Sequence, residues 1–213
     1  DSAGARFEDV SVIAEGNEDV PYFIVKRSIN GGTKRYIERL HTREFSSVED
    51  AFFVDSGLTY EGPAATVISG LDHLEGQSVV ALSNGNVVRG LTVTGGSVTL
   101  QNATTKAHVG LPMVSTLQTL DLDLGNVQGL GTVQGRFKSV AELTLRVEET
   151  RGIFIGPRDG GRDDENALVE YKQRETEAWN EAISLYTGDI RITPHWDWTN
   201  GGNVWIKQFD PLP

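Results

Sequence analysis

The chain has 213 residues and a formal net charge of −11 at pH 7. It has no cysteine, which excludes a disulfide framework and a thiolate metal site, and no apolar run approaches the roughly 20 residues that span a bilayer. The acidic balance argues against a protein that binds nucleic acid by neutralising phosphates; on charge alone, an acidic protein with no role in DNA binding or passage is favoured over a conduit whose surface repels DNA.

The composition predicts an all-β fold. Glycine occurs 24 times, and threonine and valine recur in short alternating runs, which favours strands and tight turns over helices. We therefore expect mixed small β-barrel and β-sandwich modules with little helix. Because the chain begins at Asp1 rather than Met, we also expect it to be a fragment of a longer protein.

The first region is predicted to contain a β-hairpin. Residues 22–40 alternate in polarity on both sides of Asn30-Gly31, a dipeptide typical of a two-residue type I′ turn because both central positions need φ > 0. Lys26 or Arg27 is then placed to pair with Glu38 across the strands, a contact that contributes little to stability.

A connector over 42–55 follows this hairpin. Ser46-Ser47 with Glu49 indicates one short helical turn. Three aromatic side chains are expected to anchor the connector to a core: Phe45, Phe52 and Phe53.

Residues 58–115 are predicted to form a separate small β-barrel module. Short strand candidates such as 67–68, 78–82 and 98–100 alternate with glycine-containing turns, among them Asn84-Gly85. Leu71–Glu75, between two glycines, is typical of a single turn of α- or 3₁₀-helix that closes one end.

Longer alternation returns in 116–213, which we expect to form a discontinuous β-sandwich-like domain together with 1–57. A run of leucines over 117–124 indicates one strand, and 143–148 alternates cleanly between apolar and polar residues. Two more strands are predicted at 186–192 and 203–209, joined by a wide loop at 195–202.

No residue pattern in the chain is typical of a catalytic or metal centre. The four histidines, His41, His73, His108 and His195, occur in no metal-binding spacing, so packed or capping roles are favoured. The acidic loop residues Asp159, Asp163, Asp164 and Glu165 lack the alternation of a calcium-binding EF-hand loop, which favours a solvated surface. We predict a protein that is not an enzyme and needs no cofactor or metal.

Trp196 and Trp198 are the strongest candidates for a binding surface. On alternating positions of an extended segment they would share one face, where such a pair can stack on a sugar ring or anchor a protein partner. The competing interpretation is that they cover the open end of a barrel.

Several motifs in order resemble the C-terminal half of the tail tubular protein B family of short-tailed bacteriophages, also called nozzle or packaged-DNA stabilisation proteins. They are RSINGGTKRY (27–36), IERL (37–40), DSGLTY (55–60), GLDHLEG (70–76), HVGLP (108–112), LYTGDIRI (185–192) and FDPLP (209–213). The segment 195–198 departs from the family pattern, and the resemblance assigns it no role.

The resemblance implies a structural virion protein made in the bacterial host cytoplasm and incorporated into the tail. In the full-length protein, its subunits would form a ring, by similarity a hexamer, in contact with other tail proteins such as the adaptor and tail fibre. DNA would pass through the lumen without specific binding, and this fragment would not insert into a membrane. The family's preceding region is propeller-like, so the N-terminal part, Asp1–Leu40, would be the end of its last blade.

A second class of function fits the composition and the two tryptophans. A non-catalytic carbohydrate-binding β-module, free or attached to an enzyme, would recognise glycans or a host surface. An aromatic strip on a sheet face would support this alternative.

Overall fold

The computed structural model describes residues 5–123, 125–127, 131–174, 176–178, 181–193, 196–199 and 201–213. This part of the chain is nearly all β, and its only helical elements are two 3₁₀ turns. The predicted all-β class is confirmed. Contacts divide the chain into two compact units, one comprising Asp1–Met113, Glu177–Ile183 and Asp210–Leu212, the other Val114–Thr176, Ser184–Phe209 and Pro213.

The first unit begins with a three-stranded antiparallel sheet. Its strands are β1 (Arg6–Glu15), β2 (Glu18–Ile29) and β3 (Gly32–Arg39), in that spatial order. Ile29 pairs with Gly32, which leaves a two-residue turn in which Asn30 and Gly31 have φ of 47° and 71°. The predicted hairpin and its turn are therefore confirmed.

The connector after β3 is anchored by its aromatic side chains. It contains a 3₁₀ turn at Val48–Asp50, immediately after the two serines that predicted it. Phe45 and Phe53 pack against a buried cluster of Ala51, Leu82 and Leu212. Phe52 stacks on the His41 ring at 4.2 Å between centroids.

A four-stranded antiparallel sheet forms the core of the first unit. Its strands are β4 (Val54–Ser69), β5 (Ser78–Ser83), β6 (Asn86–Thr92) and β7 (Ser97–Pro112), in the order β4-β7-β5-β6, with a 3₁₀ turn at Asp72–Leu74 before β5. The buried core comprises Ile68, Leu71, Leu74, Val79, Ala81, Val93, Val98, Leu100, Ala107, Val109 and Leu111.

The expected barrel at 58–115 needs correction. Within 54–112, all of which the structure describes, the sheet is open, because β4 and β6 are its two edges and do not pair with each other. The expected short strands at 67–68 and 98–100 are instead parts of β4 and β7, each 16 residues long. Three register shifts along the β4–β7 pair interrupt its alternation and hide its length from the sequence.

The second unit contains smaller sheets. A four-stranded sheet has the order β13-β12-β15-β8 and a two-stranded sheet pairs β11 with β14, while β9 and β10 form a separate short pair. The ranges are β8 (Ser115–Gln118), β9 (Asn126–Val127), β10 (Gly131–Thr132), β11 (Leu143–Thr150), β12 (Ile153–Gly156), β13 (Val169–Glu170), β14 (Tyr186–Ile192) and β15 (Trp205–Gln208).

The core of the second unit lies between two of its sheets. Ile153 and Ile155 of β12 pack with Ile190 of β14 and with Val204, an arrangement typical of a sandwich. The strand expected over 117–124 ends at Gln118, and residue 124 lies outside the described residues.

The observed units group the segments differently from the predicted domains. Residues 58–113 share a unit with the preceding hairpin, and the boundary expected at 57/58 falls inside β4. Contacts within one chain do not establish which segments fold independently. The partition into 1–57 with 116–213, and 58–115 alone, therefore stays a prediction.

Candidate functional site

The two candidate tryptophans lie in different environments. Residues 196–198 are in no strand, so the two rings do not lie side by side on a sheet. Trp196 is half-buried and packs against the core cluster of the second unit. Trp198 is 67% exposed. Only Trp196 is therefore held in a fixed position by packing.

Trp196 lines an open groove with a volume of about 790 Å³. Tyr171 contributes a second aromatic ring, and Ile155 and Ala167 are its most buried members. The remaining lining residues are Pro157, Arg158, Glu165, Asn166, Val169, Glu170, Ile192, Thr193, Asp197 and Thr199. We call this feature the aromatic groove.

The chain reversal after β12 builds one side of the aromatic groove. A Cβ on Gly156 would lie 1.6 Å from the carbonyl oxygen of Ala167, so only glycine allows the two segments to approach this closely. Ile155 then pairs with Val169. The backbone N–H of Tyr171 donates to the carbonyl of Ile153 at 2.9 Å, which holds the tyrosine beside β12.

Carboxylates outnumber cations along the aromatic groove. Glu165, Glu170 and Asp197 line it, whereas Arg158 is the only cationic side chain among the described residues of its lining. Nη2 of Arg158 lies 3.4 Å from both carboxylate oxygens of Asp164, so that charge is partly balanced from within the loop. The groove therefore presents an excess of negative charge to a ligand.

Other contacts tie the 157–166 loop to β12 and β15. Lys207 forms an ion pair with Asp159, and the hydrogen bond from Lys207 lowers the pKa of that carboxyl. The Arg162 guanidinium lies over the rings of Phe154 and Phe209, at 5.0 and 5.4 Å from their centroids. These contacts fix the position of the loop and of the groove residues within it.

Three of the four histidines have structural contacts, and His195 lies outside the described residues. His108 is buried between Thr59 and the backbone carbonyl of Glu49, each 2.9 Å from a ring nitrogen. Nε2 of His73 donates to the carbonyl of Ser56 at 2.9 Å. Within the described ranges, no group of three or more His, Cys, Asp or Glu side chains could hold a metal ion.

Sequence reasoning found one ring of the aromatic groove and missed the other. Tyr171 is 25 positions before Trp196 (196 − 171), and it follows the polar loop at 157–166. The single available signal was the alternation of Val169, Glu170 and Tyr171, which is too short to place a strand.

Comparison with protein-family models and with curated proteins found no significant match. No helix in the described ranges is long and apolar enough to cross a membrane.

Proposed function

We propose that this chain is a structural virion protein, a subunit of the tail tube or nozzle ring through which a short-tailed bacteriophage retains and ejects its DNA. The ordered motifs between Arg27 and Pro213 that resemble the tail tubular protein B family support this role. The nearly all-β architecture is compatible with it. One structural feature supports assembly in particular, the open edge formed by β1.

Strand β1 carries an exposed apolar stripe, and among the described strands none pairs with its outer edge. Phe7, Val10 and Val12 are 65%, 55% and 61% exposed. They pair with Val25, Phe23 and Pro21, which alternate along β2, so all three lie on one face. The bulge between Phe7 and Asp9 keeps Phe7 on that face.

An exposed apolar edge strand is rare in a protein that works alone. It offers unpaired backbone groups and a row of apolar side chains to another chain, and monomeric proteins usually block such edges. In the proposed ring, a second copy covers this stripe. A ring needs two different complementary patches on each subunit, and β1 supplies one of them.

The charge balance supports the proposed passage of DNA. With 30 acidic and 19 basic side chains, the subunit can present a mainly negative lumen that repels phosphates and keeps DNA moving. The ring would be a hexamer by similarity, with the adaptor and tail fibre as further partners.

Electron microscopy of the full-length parent protein and its virion tests this proposal. We expect a ring coaxial with the tail, with this chain fitted into it. Val10→Lys in the parent should abolish the ring, because it places a charge in the apolar contact. Ser11→Lys is the matched control, since Ser11 pairs with Tyr22 and points to the opposite face.

Three outcomes would count against the proposal. Density on the capsid shell would overturn the tail location. A lumen lined mainly by Lys and Arg would overturn the repulsion argument. An intact ring with Val10→Lys would remove β1 from the subunit contact.

A further inference from the structure

We propose that the aromatic groove binds a neutral or amine-bearing oligosaccharide and rejects acidic sugars. This binding site lies within the second unit and is separate from the β1 edge, so the inference does not depend on the ring. It develops the carbohydrate-binding alternative into a defined site with a defined charge preference.

The two rings supply the apolar surface on which a sugar can rest. Trp196 and Tyr171 are half-buried, and both pack against the cluster that contains Ile153, Ile155 and Ile190. Packing on one side fixes each ring, while the groove leaves part of it open. A preorganised aromatic surface binds at a lower entropic cost than a mobile one.

The polar lining suits the hydroxyl groups of a sugar. Ionised carboxylates only accept hydrogen bonds, and the Asn166 side chain both donates and accepts. Sugar hydroxyls can donate to Glu165, Glu170 and Asp197, and bonds to ionised acceptors are the stronger kind. The groove therefore combines a broad apolar contact with a few polar groups that fix orientation, as ligand sites generally do.

The charge of the groove lining determines which classes of sugar it favours. Three carboxylates face one guanidinium, which itself lies beside Asp164. A uronic acid or another anionic sugar would bring like charges together, whereas an amino sugar would gain attraction. The volume of about 790 Å³ lies within the range of about 300–1,000 Å³ typical of small-molecule sites, which favours a short oligosaccharide.

The test is a titration of the whole chain with three trisaccharide probes of similar size. The probes are tri-N-acetylglucosamine, which is neutral, triglucosamine, which is cationic, and trigalacturonate, which is anionic. Binding is followed by isothermal calorimetry and by the indole N–H signals in NMR spectra. We expect the neutral or the cationic probe to bind and to shift the Trp196 signal, with affinity at least about tenfold above that for the anionic probe.

Variants assign the binding to the groove. Trp196→Ala should weaken binding by at least about tenfold, while Trp198→Ala, which does not line the groove, should leave it unchanged. Because Trp196 also packs on the core, Asp197→Ala provides a second test at an exposed position that carries little risk of unfolding. It should weaken binding of the cationic probe most.

Three results would overturn the inference. They are binding of none of the probes, equal or tighter binding of trigalacturonate, and loss of binding with Trp198→Ala but not Trp196→Ala. None of them bears on the ring, whose test concerns β1.

Discussion

The two large sheets of the first unit are both antiparallel but have very different surroundings. The four-stranded sheet β4-β7-β5-β6 carries a core of eleven buried residues. In the three-stranded sheet β1-β2-β3, every residue of β1 from Arg6 to Ala14 is exposed. Burial is concentrated instead on β2, at Val20, Val25, Arg27 and Ile29.

This difference shows that alternation identifies a strand without identifying what covers it. A strand with apolar residues on one face forms wherever a neighbouring strand satisfies its backbone. Whether that face then contributes to folding depends on a second layer. The apolar side chains of the four-stranded sheet bury one another and the 3₁₀ turn residues Leu71 and Leu74, whereas we propose that the apolar face of β1 contacts another subunit.

The largest expected effect contrasts two isoleucines. Ile68 in β4 is fully buried, whereas Ile37 in β3 is 76% exposed. Ile68→Ala should lower the free energy of unfolding by about 2–5 kcal/mol, because it loses apolar burial and leaves a cavity. Ile37→Ala should change it by less than about 0.5 kcal/mol. Urea unfolding followed by circular dichroism measures both, and equal losses would contradict the contrast.

A second prediction concerns the buried end of the three-stranded sheet. The Arg27 guanidinium donates to both carboxylate oxygens of Glu38 at 2.8 Å, and to those of Asp55 at 3.0 and 3.3 Å. Its side chain is fully buried, while those of Glu38 and Asp55 are 19% and 31% exposed. The hydrogen bonds therefore join β2 and β3 to β4.

Arg27→Met keeps most of the side-chain volume but leaves the two carboxylates without this cation. We expect a loss of about 2–3 kcal/mol, below the roughly 3–5 kcal/mol of a fully buried pair because both acids reach solvent. Arg35→Met is the matched control, since the Arg35–Glu8 pair is exposed and exposed ion pairs contribute little to stability. Chemical denaturation measures the free energy of unfolding of both variants. A loss no greater for Arg27→Met than for Arg35→Met would show that the cluster does not stabilise the unit.

Local chemistry made part of this fold predictable. Asn30-Gly31 and Asn84-Gly85 both adopt positive φ in two-residue turns, because the residues that tolerate this conformation occur together at each turn. The 3₁₀ turn at Asp72–Leu74 likewise lies between the two glycines that predicted it.

The features that depend on distant residues were missed or underestimated. The expectation that Lys26 or Arg27 pairs with Glu38 is met by Arg27, but the pair was expected to contribute little to stability, because its burial comes from packing that the hairpin sequence does not encode. Asp55, 28 positions along the chain from Arg27, was not included. In the aromatic groove, the sequence pointed to Trp196 because it is a rare aromatic residue in a polar loop. Tyr171 could not be found in this way, because only the fold brings it into the same groove.

The smallest predicted effect is a pH dependence that arises from His108. A backbone carbonyl can only accept, so Nε2 of His108 donates to Glu49, and Nδ1 of the neutral ring accepts from the Thr59 hydroxyl. Burial lowers the pKa of His108 below its usual value of 6.5, the nearby Lys106 and His41 lower it further, and the hydrogen bond to Glu49 opposes the shift in part. The folded chain therefore binds fewer protons at this site than the unfolded chain.

It follows that acid favours the unfolded state. The contribution of His108 to the free energy of unfolding is complete above about pH 6.5. It is lost as the pH falls from that value towards the lowered pKa of the folded state, by at most about 1.4 kcal/mol per pH unit for one proton. The acids with lowered pKa values are Glu8, Glu15, Asp50, Asp123, Asp159 and Asp189. They lose their contributions to stability only below about pH 4.5. Urea unfolding between pH 7 and about pH 5 therefore separates the contribution of His108 from those of these acids. We expect His108→Gln to flatten the dependence in this window, and an unchanged slope would show that the loss arises elsewhere.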